Sequence, residues 1–386
     1  MKKIGLVLAY SEGHNNYGTS LQGYATIKKI KELGYNVEVI RYNKHLSFFE
    51  KIMLVIYMLR TKSTKTSVRA VIEKINKKLH KSYACSIQIR TEAVDKYKEN
   101  FIKPYFVCYD GFEHLCEGAK KYDSVLVGSD QVWTPMSLYG KYYNLLFVPN
   151  SVKKISYASS FGVSKIPKFQ KKQTADFLRK INYLSVREQK AKEIIETMGI
   201  KSEIVVDPTM LFTGEEWKME LFGCSRVCRE KYIFCYFLGT NIECRIAANM
   251  LSENTGLKIL TIRHMDEYVK SDEFFGEYAP YDVSPNDFLN CILNAEYVLT
   301  DSFHCSVFSI LFKKQFMVFY RFSKNDINSR NSRIDSLLNQ TGLKSHLFDG
   351  NNLTNIYNSV AWEEVDKKID VLRASSVDFL IKALKQ

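Results

Sequence analysis

The sequence predicts an α/β protein with two domains, each built around a parallel β-sheet. Short apolar runs with the length of strands alternate with amphipathic stretches of helical periodicity, which is typical of parallel sheets covered by helices. This alternation is interrupted at residues 45–105 and restarts near residue 231. At 386 residues the chain also exceeds the length over which one hydrophobic core keeps growing. We therefore expect two domains joined near residues 208–215.

The first half of the chain accounts for one sheet. A buried strand at 4–10 is followed by a polar loop and by a helix at 19–33, which ends at Gly34 because glycine suits the left-handed conformation of helix ends. We expect a hinge at Pro208, which ends the last strand of this half. The other elements expected here are strand segments at 37–42, 122–130, 154–162, 183–188 and 202–209, with helices near 167–180 and over 189–198.

The second half repeats the pattern. Ser284-Pro285 predicts a helix start, since proline is tolerated in the first helical turn. A long amphipathic helix is expected at 362–385. The other elements expected here are strands at 231–238, 258–263, 297–300 and 315–320 and a helix at 242–255.

The segment at 45–105 interrupts the first domain and is predicted to be a basic, helical insertion. Eight Lys or Arg residues and one acid, Glu73, lie between Arg60 and Lys81, and the whole chain has a net charge of +13. Such an excess favours an anionic partner: nucleic acid, a membrane surface or a phosphorylated substrate. Few aromatic residues interleave with the basic ones, which disfavours single-stranded nucleic acid.

The nine cysteines show no disulfide-framework spacing, and most lie in apolar runs, so we expect reduced core residues in a cytosolic protein. Cys224 and Cys228 are close in sequence, but no second Cys or His pair completes a zinc site, and no metal is expected. The N-terminal apolar run is too short for a signal peptide. No run approaches the length of a membrane-spanning helix, about 20 residues.

Polar side chains cluster where the predicted strands end. In open parallel sheets, ligands bind beyond the carboxyl ends of the strands, where loops lead into helix N-termini. One deep cleft would require polar residues at several strand ends at once. The segments at such positions are NNYGTS (15–20), GSDQ (128–131), SSFG (159–162), SVRE (185–188), RHMD (263–266) and TDSFH (300–304).

Each of these residues also has an ordinary structural explanation. His304 lies in the first turn of a helix that Ser302 caps, a position that suits either a packed histidine or a group that binds an anion. Arg187 and Glu188 directly follow a strand and suit the start of a helix. Asp130 fits an N-cap as well as a catalytic carboxylate. The residues alone leave both explanations open.

Short motifs of common enzyme classes are missing from the sequence. Gly18 and Asn16 suit a tight turn. There is no GK[ST] phosphate loop, no GxGxxG after the first strand, no HExxH and no GxSxG. The common nucleotide-binding, zinc-protease and serine-hydrolase signatures therefore give no assignment.

The ordered set of strand-end segments resembles the polysaccharide pyruvyl transferase family. The resemblance is collinear from about residue 4 to residue 345 and is more specific than any single segment. The matching segments are NNYGTSLQGYA (15–25), VGSDQVW (127–133), YASSFG (157–162), SVRE (185–188), VDPT (206–209), TDSFH (300–304) and NSRIDSLL (331–338).

This resemblance implies two Rossmann-like domains that face each other across a cleft, as in GT-B glycosyltransferases. We expect an N-terminal domain at 1–208 on the acceptor side and a C-terminal domain at 209–355 on the donor side. A final helix at 356–386 is expected to pack back on the N-terminal domain.

The resemblance also implies an activity. Phosphoenolpyruvate would be the donor substrate, and a sugar with two free hydroxyls the acceptor, giving a pyruvate ketal without any cofactor. Such sugars belong to capsular, exo- or cell-wall polysaccharides and are often built on a lipid diphosphate. We therefore expect a cytoplasmic enzyme whose basic insertion contacts the anionic inner face of the membrane, with no nucleic-acid partner.

Site residues follow from the same resemblance. Arg187 and His304 are expected to hold the donor, and His304 could also protonate the leaving phosphate or the enol carbon. The acids Asp130, Glu188 and Asp301 are the candidates for the catalytic base. Further expected residues are Ser302, Arg263 and Arg333 on the donor side and Asn16, Tyr17, Gly18 and Gln22 on the acceptor side.

The sequence departs from the family at one position. Relatives often carry Arg-Leu-His where this chain has Ser302-Phe303-His304, so an expected arginine is missing. Either another cation replaces it or the donor lies differently. The candidate cations are Arg263, Arg321, Arg330 and Arg333.

Two other functions remain open at this point. A GT-B nucleotide-sugar glycosyltransferase would share the architecture, but the second half shows no clear acidic pattern for binding a ribose. A non-catalytic protein that binds a glycan or an anion would tolerate the serine at position 302.

Overall fold

The computed structural model describes residues 2–10, 16–61, 72–73, 75–76, 78–221, 226–265, 267–322 and 330–385. Most of the basic run between Arg60 and Lys81 lies outside the described residues, as do Cys224 and Asp266.

Seven parallel strands form the sheet of the first domain. Their order across the sheet is β3-β2-β1-β4-β5-β6-β7. The central strands β1, β4 and β5 bury nearly every residue, as expected for strands covered on both faces. In chain order the strands are β1 (Lys3–Val7), β2 (Asn36–Asn43), β3 (Phe106–Asp110), β4 (Ser124–Val127), β5 (Lys153–Ser159), β6 (Tyr183–Val186) and β7 (Glu203–Ile204).

Helices connect these strands. The side chain of Asn16 accepts a hydrogen bond from the Thr19 amide at 3.1 Å, which fixes the start of the first helix. The predicted insertion contains α2 and α3 and is helical in its described part. The helices of this half are α1 (Tyr17–Glu32), α2 (Phe48–Arg60), α3 (Lys81–Phe101), α4 (Phe112–Ala119), α5 (Lys171–Leu178) and α6 (Gln189–Glu196).

Four parallel strands form the second sheet: β8 (Tyr232–Tyr236), β9 (Lys258–Thr261), β10 (Tyr297–Thr300) and β11 (Gln315–Val318). Their order is β11-β10-β8-β9. The accompanying helices are α7 (Gly214–Glu220), α8 (Ile242–Thr255), α9 (Pro285–Asn294), α10 (Phe303–Leu311), α11 (Ser332–Thr341) and α12 (Trp362–Lys385). The predicted architecture of two parallel-sheet α/β domains is confirmed. Within the described residues, no helix is long and apolar enough to cross a membrane.

One continuous hydrophobic core joins the two sheets. Tyr17 of α1 stacks on Phe288 of α9 with a distance of 4.8 Å between ring centroids. Arg90 of α3 is buried and donates to the carbonyls of Pro280 and Tyr281 at 2.9 and 2.8 Å. The insertion of the first domain is therefore fastened to the second domain.

Helix α12 packs against the end of the first domain. The hydroxyl of Ser376 accepts a hydrogen bond from the Val206 amide at 3.0 Å, and Arg373 Nε donates to the Met210 carbonyl at 2.9 Å. The turn Pro208–Leu211 between these contacts is fully buried. Pro208 therefore lies in a packed core, and the hinge expected there stays a prediction.

Candidate functional site

Each sheet has a topological switch point at the carboxyl ends of its strands. In the first sheet the order reverses between β1 and β4, and in the second between β8 and β10. Ligands bind at such points, because the connections from the two strands leave on opposite sides and open a crevice. The starts of α1 and α10 touch through Gly18 and His304, which brings the two switch points together.

Asp207 lies at the centre of the polar cluster between the domains, and its side chain is fully buried. Arg187 Nη1 donates to its Oδ2 at 2.7 Å, and Ser129 Oγ donates to the same oxygen at 3.2 Å. Thr209 donates to Oδ1 from its amide at 3.1 Å and from its hydroxyl at 2.8 Å. His304 Nε2 lies 3.6 Å from Oδ2. The carboxylate therefore holds an arginine and a histidine from different segments.

Asp207 is ionised in this setting. Burial alone would raise the pKa of its carboxyl group, but His304 and Arg187 outweigh burial and hold that pKa well below its usual range. The fixed negative charge orients the Arg187 and His304 side chains around it.

Arg187 directly follows β6 and is enclosed by acids. Besides its bond to Asp207, its Nη2 donates to Asp130 Oδ1 at 3.3 Å, and its Nε lies 3.7 Å from Glu188 Oε2. Burial acts to lower the pKa of the guanidinium, but the three carboxylates raise it above its usual value. The guanidinium also lies 4.5 Å from the centroid of the Phe303 ring. Three carboxylates and one ring therefore fix its orientation.

Asp130 follows β4 with a φ of 73°, in the left-handed region that costs energy for a residue with a Cβ. Thr19 Oγ1 donates to its Oδ2 at 3.2 Å. Burial would raise the pKa of its carboxyl group, but Arg187 and His304 lower it. Its side chain keeps 14% exposure, against 5% for Glu188. Asp130 is thus an ionised acid that is partly open to the cleft.

Glu188 is the N-cap residue of α6 and is buried. Ser160 Oγ donates to its Oε1 at 2.5 Å, whereas its Oε2 has no hydrogen-bond partner among the described residues. Burial raises the pKa of this carboxyl group against the opposing effect of Arg187. Glu188 therefore accepts a proton more readily than Asp207 does.

His304 lies in the first turn of α10, and its imidazole packs on the first turn of α1. A Cβ on Gly18 would lie 2.0 Å from His304 Nδ1, so this approach requires a glycine. Ser302 caps α10 by accepting a hydrogen bond from the Cys305 amide at 3.5 Å, as predicted for the N-cap. Within the described chain, the buried Nε2 of His304 has no hydrogen-bond partner. The same nitrogen faces Asp207 Oδ2 at 3.6 Å, so Asp207 orients it.

Arg333 of α11 is the candidate cation that the structure brings into the cluster. Its guanidinium lies 5.7 Å from the Phe303 ring centroid, and its Nε donates to the Arg330 carbonyl at 3.4 Å. It forms no ion pair with any carboxylate that the structure describes. Burial and then the positive charge of Arg187 lower its pKa to about 9. The charged form of Arg333 is thus disfavoured at this position, and a bound anion would stabilise it.

Asp301 and Arg321 hold loops of the second domain. The two carboxylate oxygens of Asp301 accept hydrogen bonds from the amides of Leu238 at 2.6 Å and Gly239 at 2.7 Å. Arg321 Nη2 donates to the Asp301 carbonyl at 3.2 Å. These contacts give Asp301 a structural role at the β8/β10 switch point, and they lend no support to the catalytic role expected of it.

Arg263 follows β9 and lines a neighbouring pocket. Its Nη1 donates to the Tyr281 hydroxyl at 3.0 Å, and its Nη2 donates to the Phe275 carbonyl at 3.3 Å. The pocket is lined by Asn16, Arg90, Tyr236, Leu238, Arg263, His264 and Met265. The predicted role of Arg263 in holding the donor therefore has less support than that of Arg333.

The residues expected on the acceptor side have different surroundings. Asn16 is exposed at the start of α1. Tyr17 is buried, and its hydroxyl donates to the Val283 carbonyl at 2.9 Å. Gln22 is buried, and its Oε1 accepts a hydrogen bond from the Ser129 amide at 3.2 Å. Tyr17 and Gln22 act in packing, and the structure does not support direct acceptor contacts for them.

Three residues of the cluster were not expected from the sequence: Asp207, Phe303 and Ser129. One signal for Asp207 was available, because a carboxylate directly before Pro208 at a strand end must lie at the carboxyl edge of the sheet. Ser129 and Phe303 lie within the strand-end segments GSDQ and TDSFH, but no local pattern indicates their contacts with distant segments.

The described residues do not assemble a metal site. Among the residues described by the structure, no group of three His, Cys, Asp or Glu side chains is arranged to hold a metal ion. That the protein works without a metal or a cofactor stays a prediction.

Comparison with known proteins gives a family and a fold. Residues 16–323 match the family model of polysaccharide pyruvyl transferases. No sequence among the curated proteins matches significantly. Among solved structures, UDP-GlcNAc 2-epimerase from Neisseria meningitidis bound to UDP-GlcNAc has a TM-score of 0.50 at 9% identity, over 99% of this chain and 100% of that chain. UDP-GlcNAc 2-epimerase from Methanocaldococcus jannaschii, in complex with UDP-GlcNAc and UDP, has a TM-score of 0.48 at 14% identity, over 99% of each chain.

The likeness to the Neisseria meningitidis enzyme shows the fold alone, and the predicted GT-B-like architecture is confirmed. The family model covers most of the chain and all but the last of the strand-end segments that carry the resemblance. The chain belongs to the polysaccharide pyruvyl transferase family.

Proposed function

We propose that the protein transfers the enolpyruvyl group of phosphoenolpyruvate onto two hydroxyls of a sugar, forming a pyruvate ketal. The family membership supports the transferase class. The observation that carries the proposal is Arg333, a buried guanidinium beside Arg187 with no carboxylate partner among the described residues. Phosphoenolpyruvate has a phosphate and a carboxylate, so its site needs several cationic donors at short range.

The reaction forms two new carbon–oxygen bonds at one carbon. Protonation of the enol methylene gives a methyl group and an oxocarbenium-like carbon, which the first sugar hydroxyl attacks. The bond from that carbon to the phosphate oxygen breaks, and the second hydroxyl attacks the same carbon. Of the two hydroxyl protons, one balances the proton taken up by the methyl group and the other leaves with phosphate. No electron is transferred, so no redox cofactor is required.

His304, Glu188 and Asp130 are the candidates for moving these protons. His304, whose buried Nε2 lies 3.6 Å from Asp207 Oδ2 and makes no hydrogen bond among the described residues, would donate to the enol carbon or to the leaving phosphate. The raised pKa of Glu188 suits a proton donor, and the ionised, partly exposed Asp130 suits the base. Asp207 is a positioning residue, because both of its oxygens already accept hydrogen bonds from the protein.

The proposed acceptor is a lipid-diphosphate-linked sugar used in a capsular, exo- or cell-wall polysaccharide. The pocket lined by Arg90 and Arg263 offers it cationic groups, and that pocket adjoins the cluster through Asn16, which caps α1. A lipid-linked acceptor would place the protein at the cytoplasmic face of the membrane.

Phosphoenolpyruvate binding and phosphate release test this proposal. The wild type is expected to bind phosphoenolpyruvate in calorimetry and to release phosphate when a suitable lipid-linked glycan is added. Arg333→Met should weaken phosphoenolpyruvate binding by about tenfold to a hundredfold, since a hydrogen bond to a charged group contributes roughly 1.5–3 kcal/mol. His304→Asn should lower the turnover rate by about a hundredfold or more, with a smaller effect on binding.

Arg179→Met and His45→Asn are matched controls, because both side chains are mostly exposed and form ion pairs outside the cluster. Full activity of both Arg333→Met and His304→Asn would contradict the site. Tight binding of a nucleotide sugar, without binding of phosphoenolpyruvate, would indicate a glycosyltransferase instead. Binding of phosphoenolpyruvate and glycan without turnover would indicate a binding protein.

A further inference from the structure

Helix α2 exposes a continuous apolar surface, which we call the α2 stripe. None of its 13 residues, all within the described part of the chain, is buried. Positions 48, 52, 55, 56 and 59 recur at helical spacing and therefore share one face. The stripe consists of Phe48, Phe49, Ile52, Met53, Val55, Ile56 and Leu59, with exposures of 80, 69, 42, 39, 56, 42 and 61%.

The opposite face of α2 attaches the helix to the first domain. Tyr57 donates its hydroxyl to the Pro135 carbonyl at 3.0 Å, and its ring packs against Tyr139 with 4.7 Å between centroids. Ser47 and Glu50 form a capping box at the start of the helix. The orientation of α2 is thus set by contacts with the protein, and its apolar stripe points away from the core.

Basic residues flank the stripe in the sequence. Lys51 and Arg60 belong to α2 itself. From Lys44 to Lys81 the sequence has ten Lys or Arg residues and two acids, a net charge of +8 within a chain of +13. An apolar helix face beside a basic segment is the combination that binds anionic lipid surfaces. The apolar side chains enter the boundary between headgroups and acyl chains, and the Lys and Arg side chains attract the headgroups.

The stripe and the candidate site lie at the same edge of the first sheet. Helix α2 follows β2, and the neighbouring parallel strand β1 leads into α1 and Gly18. Connections after parallel strands that run in one direction leave the sheet at the same edge. Docking through α2 would therefore bring this edge of the sheet close to the docked surface.

We propose that the α2 stripe docks the protein on an anionic lipid bilayer, with the stripe in the interface and the basic charge of the surrounding sequence attracting the headgroups. A second copy of the chain fits this surface less well, because each copy has a net charge of +8 in the sequence around its stripe. The docking is independent of the proposed reaction. Its use, access to a lipid-linked acceptor, rests on the proposed function.

Co-sedimentation of the full chain with vesicles tests the docking. The wild type is expected to bind vesicles that contain both phosphatidylcholine and phosphatidylglycerol. Its binding to vesicles of phosphatidylcholine alone should be weaker, and its affinity for the mixed vesicles should fall as salt is added. The double substitution Val55→Asp/Leu59→Asp should weaken binding by about tenfold or more. Phe274→Asp is the matched control, since Phe274 is a 94% exposed apolar residue of the second domain, and it should bind as the wild type does.

Absence of vesicle binding by the wild type, or equal binding by the double variant, would overturn the proposal. The proposal would also be overturned if light scattering without vesicles showed that the wild type is a dimer and that the double substitution dissociates this dimer. Both substituted residues are exposed, so the Tm and the turnover of a short water-soluble acceptor should be retained. Vesicle binding by a protein without pyruvyltransferase activity would contradict the proposed function and leave the docking surface intact.

Discussion

At Gly18, helix starts from the two domains come into contact. The residue lies in α1, and a Cβ there would lie 2.0 Å from His304 Nδ1. The turn role expected of Gly18 is therefore not the reason for a glycine here. The missing side chain lets the imidazole of His304 lie over α1, where it is close to the carboxylate of Asp207.

We expect Gly18→Ala to displace the imidazole and to lower kcat/KM by about a hundredfold, since small misplacements of a reacting group cost that much. Gly23→Ala in the same helix is the matched control, because its Cβ would meet its nearest neighbours at 3.7 Å. It should keep full activity and an equal or higher Tm, since alanine favours a helix over glycine by about 1 kcal/mol. Equal activity of the two variants would contradict the close packing on His304.

Asp207 links stability to pH. Its pKa in the folded protein lies below the unfolded value of about 3.9. Its ionised form therefore adds stability that is fully present above the unfolded pKa and is lost as pH falls through the folded pKa. Asp207→Asn should lower the Tm near neutral pH and make the fall in Tm below about pH 4 shallower than in the wild type.

Thermal unfolding followed by circular dichroism at several pH values measures this difference. Asp176→Asn is the control, because Asp176 is an exposed acid paired with the exposed Arg179. It should reproduce the wild-type profile. An Asp207→Asn variant whose Tm falls with acid as steeply as that of the wild type would show that Asp207 is not the group responsible.

At the scale of secondary-structure elements, local apolar patterns predict most of what is observed. The helix expected at 242–255 is found at Ile242–Thr255, and the helix expected at 362–385 is found at Trp362–Lys385. Strand β3 was not predicted, because it lies at the sheet edge with half-exposed residues and lacks a buried apolar run. Its place depends on pairing with β2 on the far side of the insertion, which no local pattern encodes.

The location of the candidate site is more predictable than its pairings. Strand ends indicated the region of Arg187 and His304, because parallel strands gather their carboxyl ends at one edge. That Asp207 after β7 meets His304 after β10 depends on how two domains pack. In the same way, only the packing of α11 singles out Arg333 among the four candidate cations.

At the scale of the whole molecule, the two sheets share one hydrophobic core. We therefore expect a single calorimetric unfolding transition, with a van't Hoff enthalpy equal to the calorimetric enthalpy. The contacts of Tyr17, Arg90 and Arg373 across or along the domain boundary support this expectation. Two resolved transitions would show that the domains unfold independently.

The contact of Arg90 with the carbonyls of Pro280 and Tyr281 has a further consequence. Together with the buried turn at Pro208, it fastens the domains both at the insertion and at the boundary. Rotation of one domain about that boundary would have to break these bonds. The cleft is thus preorganised. The entropy cost of bringing its two walls together arises when the chain folds, so the free energy of donor binding does not have to offset that cost.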